Sequence, residues 1–246
     1  ETLPKAVTIP RALLTYREPI ETAELHAFGD VSAVGVSTAV YAVLKQSTGI
    51  SKHLVAAKSR LAKRGLTIPR LELVAAHMSV NLLVNTRRAL GDQLLTPKLY
   101  AWTDSTVALW WINGTGNYKQ FVANRVAKIQ AHSDVQWRYI PTAENPADLG
   151  SRGGKLTQLW LNGPTWLDDK DNWPAEFIVE SSAEAQTEAR PIKELLAVAS
   201  NSELPELTIP EELLEKFYWK KTLRFIAWVR RYLKNRRLSK DQRLLA

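Results

Sequence analysis

Four carboxylates have the local settings expected of a catalytic metal site. They are Asp30, Glu72, Asp104 and Asp148. Three stand at the predicted ends of secondary-structure elements, and Glu72 lies one turn into a predicted helix. Hard cations such as Mg²⁺ prefer oxygen ligands. Two such ions about 3.5–4 Å apart need several acids at once, because each ion carries two positive charges. The pattern predicts a two-metal site of the kind that cleaves phosphodiesters.

Hydrophobic periodicity predicts a mixed α/β domain around these acids. Alternating runs predict strands, whereas apolar residues at helical spacing, such as Leu71, Val74 and Met78, predict helices. Pro69 suits the first turn of the helix that carries Glu72. The predicted order is strands at 25–28, 34–44 and 53–57, a basic loop at 58–65, a helix at 69–90, a strand at 98–103, helices at 107–113 and 118–132, a strand at 135–140, and a helix or turn after Asp148.

The charge of the chain is distributed in blocks. The formal net charge is +8, and residues 24–155 contain sixteen basic and eight acidic residues. The four carboxylates above are half of those eight acids. Residues 156–215 contain three basic and thirteen acidic residues, and residues 216–246 contain eleven and one. A basic domain whose few acids are concentrated in one pattern is expected to hold a polyanion and cleave it with metal.

Composition excludes several other classes of protein. The chain contains no cysteine, which excludes disulfides, thiolate zinc sites and cysteine nucleophiles. We find no secretory signal and no apolar stretch of about 18 residues, so we expect a protein that is not secreted and does not associate with a membrane.

Changes in composition predict five segments. They are an N-terminal linker at 1–23, the α/β domain at 24–155, a Trp- and Pro-rich wrap at 156–180, an acidic linker at 181–210, and a basic helical extension at 211–246. The apolar stripe of the last segment favours packing against a protein surface. Binding to nucleic acid or to the acidic segment is the alternative, and a membrane-surface helix is a third reading of its composition.

Six ordered segments resemble the ribonuclease H region of BEL/Pao-type retrotransposon polyproteins, and the resemblance covers about residues 24–175. The segments are Leu25–Asp30, Ala57–Ala62, Ile68–Leu73, Trp102–Ser105, Phe121–Val126 and Glu144–Gly153. The resemblance implies a ribonuclease H-like fold, which is an α/β fold with a mixed five-stranded sheet flanked by helices. The C-terminal helical extension would follow this domain.

The resemblance also implies an activity and a setting. The activity is hydrolysis of the RNA strand of RNA–DNA hybrids during reverse transcription, with two Mg²⁺ ions or with Mn²⁺. Asp30 would bridge the ions, Glu72 and Asp104 would complete the shell of one ion, and Asp148 that of the other. Reverse transcriptase would precede the domain in the polyprotein and integrase would follow it, inside a cytoplasmic particle or the nucleus.

Several side chains are candidates for contact with the nucleic acid. The basic candidates for phosphate contacts are Lys58, Arg60, Lys63, Arg64, Arg70, Lys119, Arg125, Lys128 and Arg152. Ser105 and Asn145 are candidates for the contact that distinguishes RNA from DNA by its 2′-hydroxyl. The alternative for the basic residues is an ordinary solvated surface. Many related enzymes carry a histidine a few residues before the last aspartate, and the segment 138–145 contains none.

Two other functions stay open at this level. One is a non-catalytic tether or nucleic-acid-binding domain of the polyprotein, against which the four intact acids argue. The other is a different nuclease with the same fold, such as a 3′→5′ exonuclease or a transposase. Glu72 on the helix that follows the strands, together with the basic segment, favours an enzyme that acts on a hybrid.

Overall fold

The elements follow the predicted order. The computed structural model describes residues 12–91, 96–176, 181–190, 224 and 227–230. The strands are β1 (Thr22–Val31), β2 (Gly35–Lys45), β3 (Ile50–Leu61), β4 (Lys98–Thr103) and β5 (Val135–Tyr139). The helices of the first unit are α1 (Ile68–Leu90), α2 (Thr106–Asn113), α3 (Gln120–Gln130), α4 (Ala147–Arg152), α5 (Gln158–Asn162) and α6 (Ala183–Thr187), with 3₁₀ turns at Thr142–Glu144 and Lys170–Asn172.

The strands form one mixed sheet. Its order is β3-β2-β1-β4-β5. β1 pairs antiparallel with β2 and β2 antiparallel with β3, whereas β4 pairs parallel with both β1 and β5. This confirms the predicted mixed five-stranded sheet flanked by helices.

The two faces of the sheet bury different side chains. On one face, residues such as Leu25 and Ala27 of β1 pack with Leu73 and Val80 of α1, in a cluster that also includes α2 and α3. On the other face, Phe28 belongs to an aromatic cluster whose other large members are Tyr41, Tyr100 and Trp102, with Trp160, Trp166 and Trp173 packed against it. Because β1 and β2 are covered on both sides, almost all of their residues are buried.

The structure differs from the predicted elements at two places. β3 begins at Ile50 and ends at Leu61, so residues 58–61 of the predicted basic loop belong to a strand. They pair with residues 35–38 of β2. Asp148 does not precede a helix but lies in the first turn of α4.

The two predicted linkers make ordered contacts where the structure describes them. In the N-terminal segment, the Gln46 side chain donates to the carbonyl oxygens of Tyr16 and Glu18 at 2.9 and 2.7 Å. In the acidic segment, the indole of Trp111 donates to the Ala185 carbonyl oxygen at 3.1 Å. Residues 12–23 and 181–190 therefore include segments that make specific contacts with the domain.

The chain divides into two units, Glu1–Ile192 and Lys193–Ala246. In the second unit the structure describes Arg224 and residues 227–230, which are helical. The remainder of the predicted basic extension, and residues 191–210 of the predicted acidic linker, lie outside the described residues. Within the described part of the chain, no helix combines the length and the apolar character needed to cross a membrane.

Candidate active site

Asp30 and Asp104 stand side by side at the ends of two parallel strands. Gly29 of β1 is the register partner of Thr103 of β4. Each aspartate directly follows one of these partners, and neighbouring strands lie about 4.8 Å apart. The parallel pairing therefore brings together two acids that are 74 residues apart in the sequence.

Glu72 reaches the same place from the helical layer. α1 crosses β1 closely at Gly29, where an added Cβ would lie 2.6 Å from Ser79 Oγ and 3.3 Å from the Ala75 carbonyl carbon. Glu72 precedes Ala75 by three residues and Ser79 by seven, so all three share one helix face. Glycine at position 29 thus allows the helix to bring Glu72 towards the strand end.

Asp148 reaches the site from the opposite face of the sheet. The Asn145 side chain donates to the Gly29 carbonyl oxygen at 3.0 Å and accepts from the Ala147 amide at 3.1 Å. At Gly150, an added Cβ would lie 2.1 Å from Ser37 Oγ of β2. α4 is therefore in close contact with the two central strands, and its first turn holds Asp148 beside the end of β1.

Asp30 is the most electrostatically constrained acid of the four. The residue is 5% exposed. Burial raises the pKa of its carboxyl to about 6, an effect that the Ser151 hydroxyl opposes and the charges of Asp104 and Asp148 increase. Ser151 Oγ donates directly to Asp30 Oδ2. The ionised form of Asp30 is thus destabilised by the same neighbours that a cation would neutralise.

Glu72 is held by the cap of the next helix. Its Oε2 atom accepts a 2.6 Å hydrogen bond from Ser105 Oγ, and the same hydroxyl accepts from the Ala108 amide as the N-cap of α2. Burial raises the pKa of Glu72, the Ser105 bond lowers it, and the charges of Asp104, Glu184 and Asp30 raise it. The four predicted carboxylates are therefore electrostatic neighbours, and Glu184 of α6 is an acid near Glu72 that the sequence did not indicate.

Three of the four carboxylates contact protein side chains. Arg152 Nε lies 2.5 Å from Asp148 Oδ1. As described above, Ser151 contacts Asp30 and Ser105 contacts Glu72. Among the residues that the structure describes, no three Asp, Glu or His side chains are close enough to hold a metal ion as they stand. The oxygen donors still suit Mg²⁺ chemically, since all four are carboxylates at one edge of the sheet.

The two residues predicted to contact a 2′-hydroxyl are buried in the structure. Ser105 is 5% exposed and Asn145 is 1% exposed. Their side chains make the internal hydrogen bonds described above, so neither presents a free polar group to a 2′-hydroxyl. Ser105 contacts the Glu72 carboxylate, whereas Asn145 bonds only to the main chain of Gly29 and Ala147.

The basic candidates fall into two groups. Lys58 and Arg60 are exposed on β3. Arg70 is engaged by Glu188, with Nε 2.7 Å from Oε1 and Nη2 3.1 Å from Oε2. Lys119 Nζ donates to the Thr187 carbonyl oxygen at 2.7 Å. The segment that carries α6 therefore covers two of the predicted phosphate contacts.

The remaining candidates lie on α3, on α4 and in the loop between β3 and α1. The Arg125 guanidinium lies 3.6 Å from the centroid of the Phe121 ring, and the side chain of Arg152 is 59% exposed although it pairs with Asp148. Lys63, Arg64 and Lys128 are exposed.

The sequence indicated no functional role for three residues of this region, which are Ser32, Ser151 and Glu188. Ser151 lies three residues after Asp148 on the same helix, which was a usable signal for a shared position. No local pattern pointed to Ser32 or Glu188, because their partners are 119 and 118 residues away.

The strand order and the placement of the helices define a ribonuclease H-like domain. Residues 2–105 match the family described as "Pao retrotransposon-like RNaseH-like domain". The match confirms the resemblance to the ribonuclease H region of BEL/Pao-type retrotransposon polyproteins. It includes Asp30, Glu72 and Asp104, and it also includes most of the segment that was predicted as an N-terminal linker.

Solved ribonucleases H are structurally similar at low identity. The N-terminal ribonuclease H domain of a Mycobacterium tuberculosis protein is 16% identical with a TM-score of 0.35, and the alignment covers 52% of this chain and 95% of that one. Ribonuclease H1 of Halobacterium salinarum is 16% identical with a TM-score of 0.35, and the alignment covers 52% of this chain and 93% of that one. LC11-RNase H1, solved in complex with an RNA/DNA hybrid, is 15% identical with a TM-score of 0.37. That alignment covers 52% of this chain and 93% of LC11-RNase H1. No curated protein matches the sequence.

Proposed function

We propose that the domain hydrolyses the RNA strand of RNA–DNA hybrids by internal, metal-dependent cleavage. The observation that carries the proposal is the convergence of Asp30, Glu72, Asp104 and Asp148 from β1, α1, the end of β4 and α4. The carboxyl of Asp30 is buried, and the charges of Asp104 and Asp148 raise its pKa further. A site that concentrates negative charge in this way is suited to divalent cations.

In this proposal the four carboxylates hold two Mg²⁺ ions, with Mn²⁺ as a substitute. When bound, such ions activate water and stabilise the leaving oxygen. Ser105 orients Glu72, and Ser151 orients Asp30, through the hydrogen bonds described above. Arg152 pairs with Asp148 and is exposed, so it is available to exchange that partner for a phosphate of the nucleic acid.

The substrate would lie across the basic surface of the domain. We include Lys58, Arg60, Arg125 and Arg152 among its phosphate contacts, whereas Arg70 and Lys119 would need to leave the segment 181–190 first. The adjoining reverse transcriptase and integrase of a retrotransposon polyprotein are the proposed covalent partners, in keeping with the family match.

The test is an Asp104→Asn variant assayed on a labelled RNA–DNA hybrid with Mg²⁺. Loss of a carboxylate that helps hold metal should remove several kcal/mol of transition-state stabilisation, which corresponds to about 10³-fold or more in rate. Asp171→Asn is the matched control, because Asp171 is exposed in the Trp-rich segment. Internal RNA cuts by the wild type, lost only in Asp104→Asn, support the proposal.

Equal cleavage by Asp104→Asn and wild type would refute the assignment of the site. Trimming from strand ends would indicate an exonuclease instead.

A non-catalytic nucleic-acid-binding domain is the second candidate. It is favoured by the Asp148–Arg152 ion pair, which neutralises one of the four acids within the protein. Tight binding of the hybrid by the wild type without any cleavage in Mg²⁺ or Mn²⁺ would favour this candidate.

A further inference from the structure

We propose that Ser32 and Ser151 form a positioning link that fixes Asp148 relative to Asp30. This serine link joins the β1–β2 turn, α4 and the end of β1 in one chain of hydrogen bonds. The inference rests on the proposed function, since it gives the two serines a role in holding its carboxylates.

Ser151 is at the centre of the link. The residue is 3% exposed, and its Oγ atom donates to Asp30 Oδ2. Its carbonyl oxygen accepts a 2.7 Å hydrogen bond from Ser32 Oγ. Ser32 Oγ in turn accepts from the Gly35 amide at 3.0 Å. Both the side chain and the main chain of one α4 residue are thus fastened to the strand pair that carries Asp30.

The link matters because α4 has little stability of its own. It contains six residues, and its N-cap, Pro146, makes no side-chain capping bond. Isolated helices shorter than about 12–15 residues are marginal in water, so α4 depends on tertiary contacts. Asn145 secures the entry to the helix at Gly29, and the serine link secures its last turn. Asp148 lies between these two points.

Close packing allows the link to be short. An added Cβ at Gly35 would lie 2.5 Å from the Ser151 carbonyl oxygen. The turn and the helix end are therefore in direct contact, and a small shift of α4 would break both serine bonds. Ser32 and Ser151 are positioning residues in this proposal, because they act through Asp30 and Asp148.

Partners of metal ligands typically contribute 10–100-fold to metal affinity or activity. We therefore expect Ser151→Ala to lower kcat about 10-fold or more and to raise the Mg²⁺ concentration for half-maximal activity by a similar factor. The KM for the hybrid should change less than kcat, because Arg152 is the one proposed phosphate contact on α4, whereas Lys58, Arg60 and Arg125 lie on other elements. Ser32→Ala should act in the same direction, and Ser32→Thr, which keeps the hydroxyl, should restore most of the loss.

Ser47→Ala is the matched control. Ser47 is exposed, and its hydroxyl also donates to a carboxylate, Glu18 Oε2, at 2.6 Å. That bond joins the β2–β3 turn to the N-terminal segment, at the opposite end of β1 from Asp30. All rates are to be measured below the unfolding transition of each variant, so that loss of folded protein does not enter the comparison.

A second measurement does not depend on catalysis. Amide hydrogen exchange in α4 should be faster in Ser151→Ala than in Ser47→Ala, while exchange in α1 stays unchanged. Unchanged kcat and Mg²⁺ dependence in Ser151→Ala would overturn the serine link even if the wild type cleaves hybrids. Unchanged exchange in α4 would overturn it even if the wild type is inactive. An inactive wild type with faster α4 exchange in Ser151→Ala would refute the proposed function and leave the link intact.

Discussion

The two faces of the sheet are both covered by packed side chains, but the kind of side chain differs between them. One face is covered by helices α1, α2 and α3, whose side chains in contact with the sheet are mostly aliphatic. The other is covered by short helices and a Trp-rich segment that pack on an aromatic cluster. The first face is covered by the 23-residue helix α1 and two shorter helices, whereas the second depends on a few large rings and on contacts distant in sequence.

The acids lie where these two coverings meet. Glu72 comes from the helical face and Asp148 from the aromatic one, while Asp30 and Asp104 end the strands between them. The geometry of the site therefore depends on both faces being in place. We therefore expect substitutions that disrupt the packing of either face to disturb the site, and we expect the way in which the structure is lost to differ between the two faces.

The largest effect is expected from removing a ring on the aromatic face. Trp102 is fully buried, with its ring centroid 4.9 Å from that of Trp166 and 5.2 Å from that of Trp173. Trp102→Ala should destabilise the fold by about 4 kcal/mol, against about 3 kcal/mol for the buried Leu83→Ala on the helical face. Urea unfolding measures both.

The faces should also differ in how they fail. Trypsin should cut Trp102→Ala at Lys170 under conditions in which Leu83→Ala is still intact there, because Trp102 supports the Trp-rich segment directly. Equal cutting of the two variants would show that the faces fold as one unit.

The next effect concerns Asp30, between the two faces. Because burial raises its folded-state pKa to about 6, above the ordinary 3.8, the native state binds this proton more tightly than the unfolded state. This contribution to stability is therefore present at low pH and is lost as pH rises from about 4 to 6. Asp30→Asn removes the charge, so in the absence of metal it should be more stable than wild type at pH 7.5 by up to about 3 kcal/mol.

Urea unfolding with a chelator at pH 4 and pH 7.5 measures this difference. The higher free energy of unfolding of Asp30→Asn should largely disappear at pH 4. Added Mg²⁺ should stabilise the wild type but not the variant. A gain of the same size at both pH values would contradict the assignment of the shifted pKa to Asp30.

A smaller effect is expected at the closest contact of the helical face. Gly29→Ala places a methyl group 2.6 Å from Ser79 Oγ. The resulting overpacking should cost about 1–2 kcal/mol. In the double variant Gly29→Ala/Ser79→Ala part of this cost should be recovered, since the nearest atom is gone. Thermal unfolding of the single and double variants gives the coupling energy between the two positions. If the changes in the free energy of unfolding simply add, the strain is relieved by movement of α1 and not of the Ser79 side chain.

The helical face was largely predictable from the sequence. α1 was expected at 69–90 and runs from Ile68 to Leu90, because an apolar stripe between Pro69 and Gly91 defines both the helix and its ends. The four acids of the proposed site are also marked by the sequence, since each stands in a recognisable local motif. The end of β3 was not predicted, because a strand at the edge of a sheet can carry Lys58 and Arg60 without burying them.

What the sequence did not indicate are the contacts that connect distant segments. Asn145 was expected to meet the substrate, yet it bonds to Gly29, 116 residues away. The segment at 181–190 looked like a linker because it is polar and acidic. Its fixed position depends on Arg70 and Glu188, 118 residues apart. No local pattern encodes such pairs, because their energy appears only after the sheet has formed.

The edges of the sheet have a consequence for behaviour at high concentration. An open edge strand exposes unpaired amide and carbonyl groups that can recruit a strand from another molecule. Here β5 is five residues long, and β3 carries Lys52, Lys58 and Arg60 with a register irregularity between Val40 and Tyr41 of its partner strand. Short length, like charges and irregular pairing all oppose edge-to-edge addition. The sheet is thus expected to stop at five strands and to resist aggregation through its edges.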